Sequence, residues 1–130
     1  MTTSPQFAST PRCFAGKLDT ANTNRDGTGT IVNLGAAGAS GSKVERIVAK
    51  ADGDPADCTI VFYTFDGSIY YVFDEWDIGN PAAGSSTAAS YKEERSYTDL
   101  VLPTGYSLRA SITATPTAGK VHVTGWGGDL

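Results

Sequence analysis

The most hydrophobic part of the chain spans residues 58–76, where two runs dense in β-branched and aromatic residues flank Asp66-Gly67. An Asp-Gly pair supplies the positive φ angles that a two-residue type I′ turn requires. The pattern therefore predicts a β-hairpin across the whole segment. A turn of this length places Phe65 opposite Ser68 and sets the pairing of the residues behind them.

Other segments alternate more weakly between hydrophobic and polar positions. Leu108, Ala110 and Ile112 share one face of a predicted strand, which indicates a half-buried strand in that part of the chain. Residues 43–51 fit a strand or a helix, and the strong strands around them favour a strand. Residues 91–97 are polar and fit either an exposed strand or a short helix.

Turn signals separate these segments at intervals of about ten residues. Residues 19–29 form a polar loop closed by an Asp-Gly turn, and residues 35–42 consist of small residues only. The pattern predicts an all-β fold of about eight antiparallel strands, arranged as a β-sandwich or jelly roll. The 130 residues suit one domain, so we expect a single domain over residues 12–130 behind a flexible N-terminal arm, residues 1–11.

Composition and charge narrow the function classes. Ten Lys and Arg residues against fourteen Asp and Glu residues give a net charge of -4, and the sequence contains no basic run. Nucleic-acid binding is therefore not expected. The N-terminal segment lacks the basic and apolar regions of a secretory signal, and no apolar run approaches the ~20 residues that span a bilayer. We expect synthesis in a cytoplasm and no membrane partner.

Recognisable catalytic motifs are not found in the sequence. A nucleophile elbow, a phosphate loop, a two-His zinc helix and a dinucleotide fingerprint are all missing. The single histidine, His122, lies between two valines, which suggests a strand residue facing solvent. The sequence therefore predicts a binding or structural protein that is not an enzyme and has no catalytic residues or cofactor.

Two acidic clusters leave alternatives open. Asp74, Glu75 and Asp77 surround Trp76 and fit either a strand surface or a glycosidase pair or sugar-binding face, of which the strand surface is favoured. Residues 52–57 contain three aspartates, which fit an acidic turn or part of a calcium loop. The terminal Glu of an EF-hand is missing there, which favours the turn and predicts no metal site.

Two cysteines, Cys13 and Cys58, are too few and too widely spaced for a zinc motif. Free cysteine is among the most buried residue types, so two separate core thiols are favoured. A disulfide between them, formed after release from the cell, is the alternative, since sequence alone does not show whether they meet.

Four segments carry distinctive loop and strand signatures: TANTNRDGTGTI at 20–31, GASGSKVERIV at 38–48, LPTGYSLRAS at 102–111, and the terminal WGGDL. They resemble a family of small virion structural proteins of tailed bacteriophages. The resemblance covers most of the chain and implies a capsid decoration, or cement, protein on the outside of the head. A tail- or fibre-associated virion protein is the first alternative, although the sequence shows no repeats or heptads. A carbohydrate-binding module is the second.

A decoration protein implies two partners, the major capsid protein and further copies of itself. Lattice positions of three-fold symmetry favour a homotrimer. The polar arm is expected to become ordered on contact with the shell, although a frayed terminus is equally ordinary. The candidate contact residues lie in the arm and in the first loop: Thr3, Pro5, Phe7, Asn22, Asn24, Arg25 and Asp26.

Overall fold

The computed structural model describes residues 10–130, which form nine β-strands. The strands are β1 (Thr10–Leu18), β2 (Val32–Ala36), β3 (Ser42–Ala51), β4 (Cys58–Phe65), β5 (Tyr70–Ile78), β6 (Lys92–Ser96), β7 (Val101–Leu102), β8 (Ser107–Ile112) and β9 (Val121–Asp129). Within this range the structure has no helix that is long and apolar enough to cross a membrane. The predicted all-β class is confirmed.

The strands form two antiparallel sheets that pack face to face as a β-sandwich. The five-stranded sheet has the order β1-β9-β3-β6, with β7 paired to β3, and the four-stranded sheet has the order β2-β8-β4-β5. Phe14 and Ile47 from the first sheet meet Phe62, Trp76 and Leu108 from the second in one fully buried core. Burial of this apolar surface between the two sheets is the main stabilising contribution.

The two ambiguous segments are both strands. Residues 43–51 lie in β3, at the centre of the five-stranded sheet, and residues 92–96 form β6 at its edge. The short segment before the Pro103 turn pairs with β3, whereas β8 after the turn belongs to the other sheet. The turn at residues 103–106 therefore carries the chain from one sheet to the other.

The predicted hairpin is confirmed, but its turn is longer than predicted. Phe65 pairs with Tyr70, so the loop contains four residues and not two. The Asp66 carboxylate accepts hydrogen bonds from the backbone amides of Ser68 and Ile69, at 2.8 and 2.7 Å. This side chain organises a wider turn, as Asp does in Asx-turns. The predicted pairing of Phe65 with Ser68 is therefore wrong by two residues.

The first strand begins inside the segment predicted to be an arm. Thr10 and Pro11 pair with Asp129 and Gly128 at the edge of the five-stranded sheet. The remainder of the predicted arm, residues 1–9, lies outside the described residues.

The described chain begins at the end of the sandwich that also carries the hairpin loop. A six-residue connection joins the end of β3 to the start of β4, so β4 ends where β3 begins. The first residue of β3, Ser42, pairs with Asp129, which also pairs with Thr10. We call this end, with Thr10, Ser42, Asp129 and the loop at residues 66–69, the N-terminal end.

Candidate functional site

The long loop between β1 and β2, residues 19–31, folds back over the outer face of the four-stranded sheet. The backbone amide of Asn22 donates a hydrogen bond to the carbonyl of Ile112 on β8, at 2.8 Å. The hydroxyl of Tyr63 on β4 donates to the backbone carbonyl of Asn24, at 3.2 Å. The loop thus crosses two strands and helps to bury Tyr63 on the outer side of the sheet.

Further contacts join the same loop to β5. The guanidinium of Arg25 forms an ion pair with Glu75. Gly27 has a φ angle of +90°, and a Cβ atom there would lie 2.7 Å from the ring of Tyr70. Only glycine fits this close approach in this backbone conformation. The predicted Asp-Gly turn therefore serves to pack the loop against the sheet.

Asn22 holds the loop together from within and is only 5% exposed. Its side-chain amide donates to the carbonyls of Thr28 and Thr30, both at 2.9 Å, and its oxygen accepts from the amide of Asn24 at 3.0 Å. Asn22 is one of the predicted contact residues, and its side chain is buried within the loop. Asn24, Arg25 and Asp26 remain exposed. Thr3, Pro5 and Phe7 lie outside the described residues.

Three exposed apolar side chains lie at the tip of the hairpin. Ile69, Tyr71 and Val72 are 53%, 46% and 41% exposed. They lie on and beside β5, an edge strand whose backbone is paired with β4 on one side only. Exposed apolar clusters on edge strands are typical of interaction sites. We call these three residues the apolar tip; the sequence pattern did not reveal it, because buried and exposed hydrophobic strands look alike.

An open depression of about 420 Å³ adjoins the apolar tip. Phe73, which follows Val72, lines it together with residues 96–100. The lining includes the ring of Tyr97, whose hydroxyl is already bonded to Asp74. The depression therefore offers a site for an apolar side chain and extends the surface of the tip.

Trp76, which the sequence offered as part of a sugar-binding face, is fully buried. Its indole N–H donates to Oδ2 of Asp74 at 2.9 Å, and the Tyr97 hydroxyl donates to the same atom at 2.6 Å. Burial acts to raise the pKa of Asp74, but these hydrogen bonds, the amide of Glu75 and the nearby charge of Arg95 outweigh it and lower the pKa. The hydrogen bonds and the charge pair around Asp74 join β5 to the end of β6 and so close one side of the sandwich.

The neighbouring carboxylates point away from Asp74. Glu75 binds Arg25 in the first loop, and Asp77 accepts a hydrogen bond from the hydroxyl of Thr59 at 3.2 Å. A glycosidase needs two carboxyl groups that face each other across a cleft. These side chains instead serve three separate structural contacts.

We expect Asp74→Asn to lower the free energy of unfolding at neutral pH by about 1–2 kcal/mol, because a charged acceptor of two hydrogen bonds is lost. Folding lowers the pKa of Asp74, so its contribution is present above the unfolded pKa of ~3.9 and is lost as the pH falls through the folded value. Urea unfolding of wild type and variant between pH 2 and 7 measures this. A difference in the free energy of unfolding that does not shrink as the pH is lowered would contradict this expectation.

Two of the three aspartates of residues 52–57 bind different neighbours through their side chains, and Asp54 pairs with Ala118 through its backbone. Asp52 accepts from the amide of Lys120 at 2.7 Å and lies 2.8 Å from Nε2 of His122. The hydrogen bond with His122 is the main reason that the pKa of Asp52 is lowered. Asp57 accepts from the amide of Asn80 at 3.0 Å. Among residues 10–130, no group of three or more acidic, His or Cys side chains could hold a metal ion.

The two cysteines are free thiols that lie in different sheets. Cys58 on β4 is half-buried, and burial raises its pKa to about 11. Cys13 on β1 is exposed, opposite Trp126 on β9. The prediction of two core thiols is therefore wrong for Cys13, which lies on the outer face of the five-stranded sheet.

No protein-family model matches this chain, and no curated protein matches it. The four segments singled out in the sequence can be located in the fold. Residues 20–31 are the loop over the four-stranded sheet, and the other three segments meet at the N-terminal end, where Ser42 pairs with both Leu102 and Asp129. Most of the resemblance therefore concerns one end of the molecule.

Proposed function

We propose that this chain is a bacteriophage virion structural protein, a capsid decoration protein that binds and stabilises the outer surface of the head. One observation carries the proposal. The apolar tip, with Ile69 at 53% exposure, lies at the same end of the sandwich as Thr10, where the described chain begins. The tip and Thr10 therefore lie where one partner surface can contact both.

The geometry of this end suits a protein that binds a shell. The four-stranded sheet gives the tip a rigid support, and aromatic side chains such as Tyr71 are typical anchors of interfaces. A ligand that binds only the assembled state stabilises that state by mass action. Such a protein needs contact surfaces and no active site. The acidic side chains of Asp52, Asp74 and Glu75 are held in contacts within the molecule.

The proposal is tested by co-sedimentation with expanded, undecorated shells of its own phage. We expect Ile69→Asp/Val72→Asp to weaken shell binding at least tenfold, because a buried, unpaired charge replaces each apolar contact. Deletion of residues 2–9 should also weaken binding without unfolding the domain, since β1 begins at Thr10.

The matched control is Ala83→Asp, which adds a charge at an exposed position in the loop at the opposite end of the sandwich. It should bind as the wild type does. Wild-type protein that stays in the supernatant, or tip variants that sediment normally, would contradict the proposal.

We further propose that the protein forms a homotrimer. Shell lattices present local three-fold positions, and a trimer there multiplies weak contacts through avidity. Multi-angle light scattering is expected to give three times the mass of one chain. If the protein is a monomer at all concentrations up to those used for shell binding, trimerisation is contradicted. The shell-binding proposal is not affected by that result, because co-sedimentation tests it separately.

A carbohydrate-binding module is the second candidate, and one observation favours it. Phe65 and Tyr70 stack at 4.1 Å on the outer face of the four-stranded sheet, with the guanidinium of Arg109 at 4.6 Å from the Phe65 ring. Aromatic rings of this kind can bind sugars. Sedimentation with bacterial cell-wall polysaccharide but not with shells would favour this candidate.

A further inference from the structure

The outer face of the five-stranded sheet collects positive charge on an acidic protein. Alternation along the paired strands and the exposure of the side chains place five of the ten Lys and Arg residues there, against two of the fourteen Asp and Glu residues. A third carboxylate, that of Asp52, lies at the edge of the face beside His122. The chain as a whole carries a net charge of -4. We call this surface the basic sheet face; its cations are Lys17, Lys43, Arg46, Lys50 and Lys92, and its anions are Glu45 and Glu94.

Two of the cations are available to a partner. Lys17 on β1 and Lys92 on β6 are both exposed, and neither has a carboxylate within ion-pair distance among residues 10–130. Lys43 and Arg46 reach Glu45 and Glu94 only at 3.9 Å, a separation at which exposed pairs contribute little. The positive charge of this face is therefore poorly neutralised within the molecule.

An exposed tryptophan lies on the same face. Trp126 on β9 is 41% exposed and pairs with Cys13 on one side and Arg46 on the other. The guanidinium of Arg46 stacks 4.9 Å from the centre of the indole ring. Tryptophan and arginine are the residues most enriched among interface anchors. The face thus combines an anchor with the charges that orient a partner around it.

We propose that the basic sheet face binds an acidic surface of a folded protein through Trp126 and the surrounding cations. Charge complementarity selects this occupant, because a flat sheet with spaced cations matches another folded surface. A long polyanion fits less well. The basic sheet face ends at Asp52, which lies against His122. The rest of the molecule is acidic. Under the proposed function, on which this assignment of the partner rests, the acidic surface belongs to a shell subunit.

The test compares three variants with the wild type, using immobilised poly-glutamate, heparin, duplex DNA and expanded shells as probes. Lys17→Glu/Lys92→Glu should weaken binding to poly-glutamate and to shells at least tenfold at low salt, and Trp126→Ala should weaken shell binding at least threefold. Lys120→Glu is the matched control, because Lys120 precedes β9 and already pairs with Asp19 at 3.1 Å. It should change binding less than twofold. Wild-type binding should fall steeply as salt is raised.

The outcomes separate this inference from the proposed function. If wild type and the double variant sediment equally with shells, the basic sheet face is not the contact, while the protein still binds capsids. If the wild type ignores shells but binds poly-glutamate through Lys17 and Lys92, the face is supported and the decoration proposal fails. Tighter binding of the wild type to heparin or DNA than to poly-glutamate would overturn the assignment of an acidic protein partner.

Discussion

Trp76→Ala is expected to lower the free energy of unfolding by about 3–5 kcal/mol, the usual cost of removing a large aromatic side chain from a core. Trp76 is fully buried, and its ring centre lies 4.8 Å from that of Phe62. The substitution leaves a cavity between the sheets and also removes the N–H that Asp74 accepts. Urea unfolding followed by circular dichroism measures the change.

The only other tryptophan provides the control. Trp126 is exposed on the outer face of the five-stranded sheet, where Arg46 stacks on it. Trp126→Ala should therefore cost less than about 1 kcal/mol. If the two alanine variants lose similar stability, Trp76 is not the centre of the core. If Trp76→Ala folds normally but loses glycan binding, the buried position described here is wrong.

Asn22→Ala is expected to lower the free energy of unfolding by about 2–3 kcal/mol. The substitution removes three hydrogen bonds of the buried Asn22 side chain, two to the carbonyls of Thr28 and Thr30 and one from the amide of Asn24. Each such bond contributes about 0.5–1.5 kcal/mol. We also expect faster hydrogen exchange at the amide of Asn22, which bonds to Ile112. Denaturant unfolding and hydrogen exchange measured by NMR test the two effects.

Asn24→Ala, two residues away, is the matched control. Its side chain is exposed and donates to the Thr28 hydroxyl, at 3.0 Å. A change within about 0.5 kcal/mol is expected for such a surface position. Equal losses for Asn22→Ala and Asn24→Ala would show that the loop does not depend on a buried asparagine.

Local pattern predicted the strands better than it predicted their pairing. Alternation at Leu108, Ala110 and Ile112 identified a strand whose three side chains are all buried in the core. The hairpin register was missed because the Asp66 carboxylate accepts two backbone amides and widens the turn. A side chain that competes for backbone donors leaves no trace in hydrophobic periodicity.

The candidate surfaces were less predictable, because they depend on contacts between distant parts of the chain. Polar composition correctly marked residues 19–29 as a loop, but its packing over Tyr63 requires the assembled sheet. The basic sheet face was also not predictable from local sequence. Lys17, Arg46 and Lys92 come from three strands far apart in sequence, so a search for basic runs does not find them.

A cryo-EM map of the intact virion tests the decoration proposal most directly, since it shows where the protein is bound. The account predicts copies of the nine-stranded sandwich on the outside of the head, with the N-terminal end and the basic sheet face against shell subunits. Three copies should surround each occupied local three-fold position. Density for the sandwich only on the tail or fibres, or a virion that does not contain the protein, would contradict the account.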